Sequence, residues 1–371
     1  MKFDKEKIAE LYPEAVMTEA MLIHASTDSS LKQACESGEY FGQLKKDGYW
    51  YQFEKHTNHS YLFSRSASKK TGLQAEKLAN VPHIANALDC LPPHTILIGE
   101  IYYPGGSSKN CTEIMGCLSE KAIARQQGDW GLIHYYLHDI IMYDGVDFVK
   151  NKVSNEMRYK ILEKIFLLHN LQQYNFLQLA EVWEDNLYER VGSALAAGEE
   201  GMVIKKKDGI YEPGKSPLSN LKAKKVDFAD VVIIGFEEPT KFYYGKEIEN
   251  WQYWIDTSTD IECILPIGYH YGENDCYKAV TKPYYMNWKK ARIKIGAYDK
   301  NGELVNIGTI HSGITDEMKE KMSNAPENFL GEVCKIQCME MDKNEHTIRH
   351  GFFKGMRTDK AKEDCTIASI F

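Results

Sequence analysis

The chain is 371 residues long, 43% hydrophobic and 26% charged, with a formal net charge of −8. That length exceeds one typical compact core and favours two domains, and no apolar run approaches the ~20 residues of a membrane helix. The nine cysteines form no close Cys-x-x-Cys pair, which argues against a zinc module and reads as reduced thiols in a cytosolic protein.

Met1-Lys2-Phe3-Asp4-Lys5-Glu6 leads into no apolar signal region, so nothing points to export. Residues 1–39 read as helical with one turn. Residues 40–63 read as a hairpin, with 40–45 the first strand, Asp47-Gly48 the turn and 49–53 the return. Residues 71–91 read as helix closed by Pro92-Pro93, and 95–102 as a buried strand broken by Pro104-Gly105-Gly106. Residues 132–143 alternate like a strand, and 156–169 carry Tyr159, Leu162, Ile165 and Phe166 at helical spacing. Two short strands, 201–205 and 221–224, flank a Pro/Gly loop. From Asp227 the pattern is mostly strands, at 231–236, 252–256, 291–298, 305–310 and 332–339, with a tight turn at Asn301-Gly302 and one short helix at 316–322. Such a run fits a small β-barrel of the OB type. The expected fold class is therefore α+β: an antiparallel-sheet domain at 1–226, then an OB-fold domain at 227–371. An aromatic-rich insertion at 241–290, with Trp251, Trp254, Tyr269 and Tyr271 among its rings, reads as a packed β-extension.

The net charge argues mildly against nucleic acid, but local cations decide phosphate binding. Lys205, Lys206, Lys207, Lys215, Lys222, Lys224 and Lys225 crowd one stretch. In Gln43-Leu44-Lys45-Lys46-Asp47-Gly48, strand alternation puts Gln43, Lys45 and Asp47 on one face and Lys46 on the other. A lysine beside a carboxylate in a cleft suits a nucleophile. It attacks through its neutral amine, only ~0.1% of an ordinary lysine near pH 7.4, and neighbouring cations or a metal raise that fraction. Alone, Lys-x-Asp-Gly reads as a solvated hairpin tip. Further segments in order change the weighing: Ile98-Gly99-Glu100 at a strand end, Glu200-Gly201 at a strand start, Lys222 and Lys224 on one strand face, and Arg357-Thr358-Asp359-Lys360 near the C-terminus. A nucleophilic lysine, two carboxylates and cations for a triphosphate suit nucleotidyl transfer, which runs on positioning and charge stabilisation.

In this order the segments resemble the ATP-dependent DNA ligases, within the covalent nucleotidyltransferases, over about 43–365. Lys45-Lys46-Asp47-Gly48 matches the nucleophile motif, and the resemblance implies a lysyl-adenylate on Lys45. It places Gln43 against the adenine amino group, Arg65 near the nick phosphate, Glu100 on the ribose and His138 stacked on adenine. Glu200 becomes the metal-holding carboxylate, and Lys222 and Lys224 become phosphate contacts. Arg357, Asp359 and Lys360 correspond to the barrel-domain motif that closes over the β- and γ-phosphates. There are departures. Trp50 stands where the family has arginine, with Arg65 or Lys55 as substitutes; Ile98 stands where it has aspartate; and His138 replaces a phenylalanine or tyrosine.

The resemblance implies ATP and Mg2+ (or another divalent cation) as cofactors and nicked duplex DNA as partner. It further implies an adenylation domain at 1–226 and a small ligase of viral or phage type, monomeric, off the membrane and cytoplasmic, in the host cytoplasm if virally encoded. The insertion could then clamp duplex DNA. An RNA ligase or a capping guanylyltransferase shares the lysine chemistry, and a decayed nucleic-acid-binding relative would share the fold. The form Glu200-Gly201-Met202-Val203-Ile204-Lys205 favours ligation over capping.

Overall fold

A short helix opens the described chain because Asp4 caps it, its side chain accepting from the backbone of Lys7. The computed structural model describes residues 4–68, 72–224, 227–245, 250–264, 276–338, 340–342, 345–349 and 351–371. Met1-Lys2-Phe3, Lys225, Tyr269, Tyr271 and the expected strand end at Met339 lie outside them. Backbone contacts group the chain into two compact units, Lys2–Lys225 and Val226–Phe371.

The first unit runs α1 (Lys5–Leu11), β1 (His24–Ala25), α2 (Asp28–Glu36), β2 (Tyr40–Leu44), β3 (Gly48–Lys55), β4 (Ser60–Ala67), β5 (Gln74–Glu76), α3 (Pro82–Leu88), β6 (Thr95–Tyr102), α4 (Ser108–Met115) and α5 (Ser119–Gln127). It continues through β7 (His134–Tyr143), β8 (Val146–Asp147), α6 (Asn155–Leu168), β9 (Leu177–Leu179), α7 (Leu187–Ala196), β10 (Gly201–Lys206) and β11 (Asn220–Lys224). These strands make two sheets. One has the order β1-β11-β10-β2; the other runs β5-β4-β3-β6-β7-β8, with β9 on β7.

The expected hairpin at 40–63 is not formed. β2 pairs with β10, whereas β3 pairs with β4 and β6. Lys45, Lys46 and Asp47 therefore cross from one sheet to the other, and the true hairpin is β3–β4. Asp-Gly is a turn signal, but a local signal does not say which ladder each flank joins. The expected helix at 71–91 is also mostly replaced, by β5, a short 3-10 turn at Leu78–Asn80, and α3.

Alternation divides the β1-β11-β10-β2 sheet cleanly. Leu44, Met202, Ile204, Leu221 and Ala223 pack with Leu31 of α2 and Leu187 and Val191 of α7 in one apolar cluster. Residues one position out of phase, Gln43, Val203, Lys205, Lys222 and Lys224, point to the opposite face. The second sheet packs its own face into the largest core, with Phe53, Leu97, Ile101, Tyr135 and Leu137 all fully buried and Leu162, Ile165 and Phe166 of α6 against them. Helix α6 starts where Ser154 accepts from the backbone of Met157. On it, Arg158 is wholly buried and grips Asp139 of β7 through Nε–Oδ1 at 2.8 Å and Nη2–Oδ2 at 2.9 Å. Arg158 also donates to Asn155, which donates to Asn220 of β11 and to the Lys206 carbonyl of β10. This polar brace links the two sheets through α6.

The second unit runs β12 (Asp227–Glu237), β13 (Tyr253–Asp256), β14 (Ile261–Ile264), β15 (Tyr277–Ala279), α8 (Lys282–Tyr285), β16 (Arg292–Tyr298), β17 (Leu304–Ile310), α9 (Asp316–Asn324), β18 (Val333–Cys338), β19 (Glu340–Asp342), β20 (Thr347–Arg349), β21 (Phe352–Met356) and α10 (Ile367–Ile370). Its main sheet is an open antiparallel one of order β17-β16-β12-β18-β21. The expected OB barrel is thus corrected: among the described residues no sheet closes on itself. Closure would need a ladder between the edge strands β17 and β21. After β18 the chain instead forms a separate two-stranded ladder, β19–β20. An open sheet and a barrel carry the same inward–outward alternation, so strand number and period do not distinguish them.

The aromatic-rich insertion includes the three-stranded sheet β14-β13-β15. Trp254 is fully buried, Tyr243 and Trp251 stack with ring centroids 3.6 Å apart, and Tyr285 packs on Tyr253. These described rings form a packed β-extension. Among the described residues no cysteine is joined in a disulfide.

Candidate active site

The crossing between the sheets places Lys45. Its backbone N–H donates to the Gly201 carbonyl at 2.9 Å, and its ammonium donates to Glu200 Oε2 at 2.6 Å. The other carboxylate oxygen of Glu200 accepts from Lys224. One carboxylate thus bridges two lysines. Gly201 makes this approach possible, because its φ of 139° favours glycine and a Cβ there would sit 1.9 Å from the Ala223 carbonyl oxygen. Lys222 lies on the same strand face as Lys224. Burial, then the charges of Lys224 and Lys45, push its ammonium below the usual lysine range.

Lys46, like Lys45, lies in the crossing rather than in a strand, and a different carboxylate holds it. It pairs with Glu199 at 3.3 Å and lies over the rings of Tyr102 and Tyr136, 5.7 and 5.8 Å from their centroids. Asp47 accepts from the Ser108 backbone N–H at 3.0 Å, at the first turn of α4, where a carboxylate is favoured by the unpaired N–H groups and the helix dipole. The segment 45–47 is therefore held at each residue.

Glu100 stands on β6, directly across from Trp50 of β3 and Tyr136 of β7. Burial pushes its carboxyl up to about 7, against the pull of Lys45 and with a further push from Glu200. The Arg65 charge also acts on Glu100 and on Lys222, which puts this exposed side chain of β4 within electrostatic reach of both. Trp50 itself is partly buried and packs against two apolar clusters. Lys55 sits at the other end of β3, opposite Thr95, and pairs with Asp89. It is not placed to stand in for the arginine missing at Trp50.

His138 occupies a β-bulge. Ile98 pairs with Asp139 and Gly99 with Leu137, so His138 is the extra residue, and bulges re-aim side chains in this way. Burial, then Lys205 and in smaller part Lys45, push the imidazole down to about 3. The ring is neutral at physiological pH. Lys205 reaches under it, donating to the His138 carbonyl at 3.1 Å, and burial pushes the Lys205 ammonium down to about 8. Three other lysines of the cluster are paired: Lys206 with Glu39 and Asp208, Lys207 with Glu184, and Lys215 with Glu212.

Several buried polar atoms here have no hydrogen-bond partner among the described residues: Nε2 and Oε1 of Gln43, Nδ1 of His138 and the Tyr136 hydroxyl. Gln43 is 2% exposed, and leaving a buried amide unpaired costs about 1–3 kcal/mol per group. An amide with a donor and an acceptor both free fits the edge of a nucleobase. Tyr136 carries one of these atoms yet belongs to no motif. Its signal in the sequence is only its place two residues before His138 on the same strand. For a divalent cation the fit is partial. Among the described residues, no group of three or more His, Cys, Asp or Glu side chains is arranged to hold a metal. Glu200 suits a single protein contact to an ion held mainly by phosphates and water, as Mg2+ commonly is.

Arg357, Asp359 and Lys360 lie in the second unit and form a cluster of their own. Arg357 donates to Asp359 through Nε at 2.8 Å and Nη2 at 2.9 Å, and to both oxygens of Asp230 at 3.0 and 3.2 Å. Lys360 donates to Asp230 Oδ2 at 3.1 Å. Asp230 was not singled out by any motif.

Residues 20–224 match the family described as the ATP dependent DNA ligase domain, more than half of the chain. The chain belongs to that family. This ligase-domain protein is 26% identical over 219 residues to a probable DNA ligase of Pseudarthrobacter chlorophenolicus, covering 57% of this chain and 39% of the relative. It is 24% identical over 260 residues to a DNA ligase of Variola virus, covering 65% of this chain and 41% of the relative. The chain thus spans about two fifths of the length of the curated relatives it matches. A solved structure called Pmar-Lig_Pre shares the fold, with a TM-score of 0.61 at 19% identity over 96% of this chain and 71% of that one. Among the described residues no helix is long and apolar enough to cross a membrane.

Proposed function

We propose that this chain is an ATP-dependent DNA ligase that seals 3′-hydroxyl/5′-phosphate nicks in duplex DNA through an adenylate on Lys45. The observation that carries the reading is the Lys45–Glu200–Lys224 bridge beside a buried Gln43 amide with nothing to pair with. On this reading Lys45 is the nucleophile, Lys222 and Lys224 are phosphate-neutralising cations, and Gln43 is the base-reading group.

In the proposed sequence, Lys45 Nζ attacks the α-phosphorus of ATP. An N–P bond forms, the bond to the pyrophosphate oxygen breaks, and the amine gives up its proton. Attack requires the neutral amine, since an ammonium has no lone pair, so the Lys45 ammonium first passes a proton to water and its ion pair with Glu200 is given up. A 5′-phosphate oxygen of the nick then attacks the adenylate phosphorus and releases Lys45. Finally the 3′-hydroxyl oxygen attacks that 5′-phosphorus, AMP departs and the backbone closes. Lys222 and Lys224 stabilise the phosphate oxygens, Gln43 reads the adenine, the neutral His138 ring stacks on it, and Glu100 holds the ribose. Arg65 contacts the nick phosphate, while Arg357, Asp359 and Lys360 serve the leaving pyrophosphate. A bound divalent cation, with Glu200 as its protein contact, supplies neutralisation of the charge that develops on the phosphates. The same reading takes the enzyme as a monomer of the small viral or phage type.

The test is adenylation with α-labelled ATP and magnesium on a denaturing gel. Lys45→Ala is expected to abolish an acid-labile labelled band that the parent protein forms. A folded parent that takes no label would sink the reading. Label from GTP instead of ATP would favour capping, and sealing of nicked RNA in preference to nicked DNA would favour an RNA ligase.

A further inference from the structure

The carboxylate of Asp230 belongs to none of the motif segments, yet it sits between the two cations of Arg357-Thr358-Asp359-Lys360. It stands on β12, the middle strand of the open sheet, with β16 on one side and β18 on the other. Its side chain is 17% exposed, against 29% for Arg357 and Lys360 and 68% for Asp359. Asp230 is therefore the inner member of the cluster and Asp359 the outer one. Arg357 is further pinned by its own backbone N–H, which donates to the Val333 carbonyl at 2.8 Å.

Two cations three residues apart repel each other, and a lysine or arginine side chain is free to wander unless something holds it. Asp230 supplies the hold. It takes one terminal nitrogen of Arg357 and the ammonium of Lys360 on the same carboxylate, from the middle strand of the open sheet. A guanidinium has five N–H donors and an ammonium three. The bonds to Asp230 and Asp359 leave donors on both cations free for a further acceptor with several oxygens.

We propose that Asp230 is a positioning residue for the self-adenylation half-reaction, holding Arg357 and Lys360 as a preformed receptor for the pyrophosphate that leaves ATP. This rests on the ligase reading above and on the role given there to the Arg357 segment. Preorganised cations do not have to be ordered when charge develops on the leaving group, and this is where electrostatic catalysis gains most. Closure of a nick that already carries AMP has no pyrophosphate leaving group, and it does not use this receptor.

The experiment uses the full chain in two assays: self-adenylation from α-labelled ATP, and sealing of a pre-adenylated nick without ATP. Asp230→Ala is expected to lower kcat/KM for ATP by about tenfold or more while sealing of the pre-adenylated nick is unchanged. Asp230→Glu is expected to restore part of the loss. Combined with Arg357→Ala, Asp230→Ala is expected to add little further loss, because both act through one group. Full adenylation by folded Asp230→Ala overturns the proposal. Equal losses in both assays with a lowered Tm also overturn it, as they mark a purely structural role; Asp230→Asn, which keeps the shape, provides the same comparison if the alanine variant does not fold. Failure of the ligase reading looks different: the parent forms no adenylate, or Arg357→Ala adenylates at the parental rate.

Discussion

Glu100 shows how a group proposed for binding strains the free protein. Its folded pKa is raised from 4.5 to about 7, chiefly by burial. A raised carboxylate contributes fully below its unfolded pKa and loses that contribution as pH rises through about 7. Glu100→Gln removes the ionising group and keeps the shape. It is therefore expected to raise the Tm relative to the parent at pH 8, with a smaller gain at pH 5, while adenylation falls. Melting curves at the two pH values check this, and a gain confined to pH 5 would contradict the burial argument. At the same scale, the ordered motifs single out Lys45 in the sequence, whereas strand alternation does not apply to it, since β2 ends at Leu44. The sequence did not reveal Asp230 or Tyr136, because each acquires its place only through pairing with distant strands. Trp50 illustrates the opposite limit: the motif predicts an arginine there, and the apolar packing of Trp50 explains the ring without supplying a charge.

At the scale of elements, the two sheets depend on the brace from Asp139 through Arg158 and Asn155 to Asn220. Burial works against the Asp139 charge, but Arg158 and Lys205 outweigh it and hold the carboxyl at about 2. Removing one partner of a buried pair leaves the other uncompensated, so Arg158→Met is expected to destabilise the first unit by about 3–5 kcal/mol. A depressed carboxylate stabilises above its unfolded pKa, about 3.9, and loses that contribution as pH falls through about 2. The deficit of Arg158→Met in denaturant titrations should therefore shrink below about pH 4; a deficit independent of pH would mean packing, not charge, dominates. Long periodic elements such as β6, β7 and α6 were readable from the sequence because their period is local. The hairpin at 40–63 and the OB barrel were misread for one shared reason. Both required knowing which strand edges meet, and side-chain period carries no such information.

For the whole molecule, each unit has its own apolar cluster, centred on Phe53, Leu97 and Tyr135 in one and on Val231, Ile295 and Ile336 in the other. Separate cores are separate cooperative units. Urea unfolding followed by tryptophan fluorescence is expected to show two transitions, and a non-hydrolysable ATP analogue should shift the one reported by Trp50, Trp130 and Trp183. A single transition for all probes would mean that the units unfold as one. The family match, residues 20–224, lies in the first unit, where most of the proposed nucleotide contacts lie.

The strand order β1-β11-β10-β2 carries a consequence for synthesis. The parallel ladder joins His24 and Ala25 to Leu221 and Lys222, so the sheet under Lys45 is assembled from the two ends of its unit. A chain emerging from the ribosome has made Lys45 early but cannot complete its surroundings until Lys224 is out. Such distant pairings form slowly and late. A nascent or truncated chain therefore displays Lys45 without Glu200, Lys222 or Lys224. The proposed chemistry is withheld until the unit that must contain it is whole.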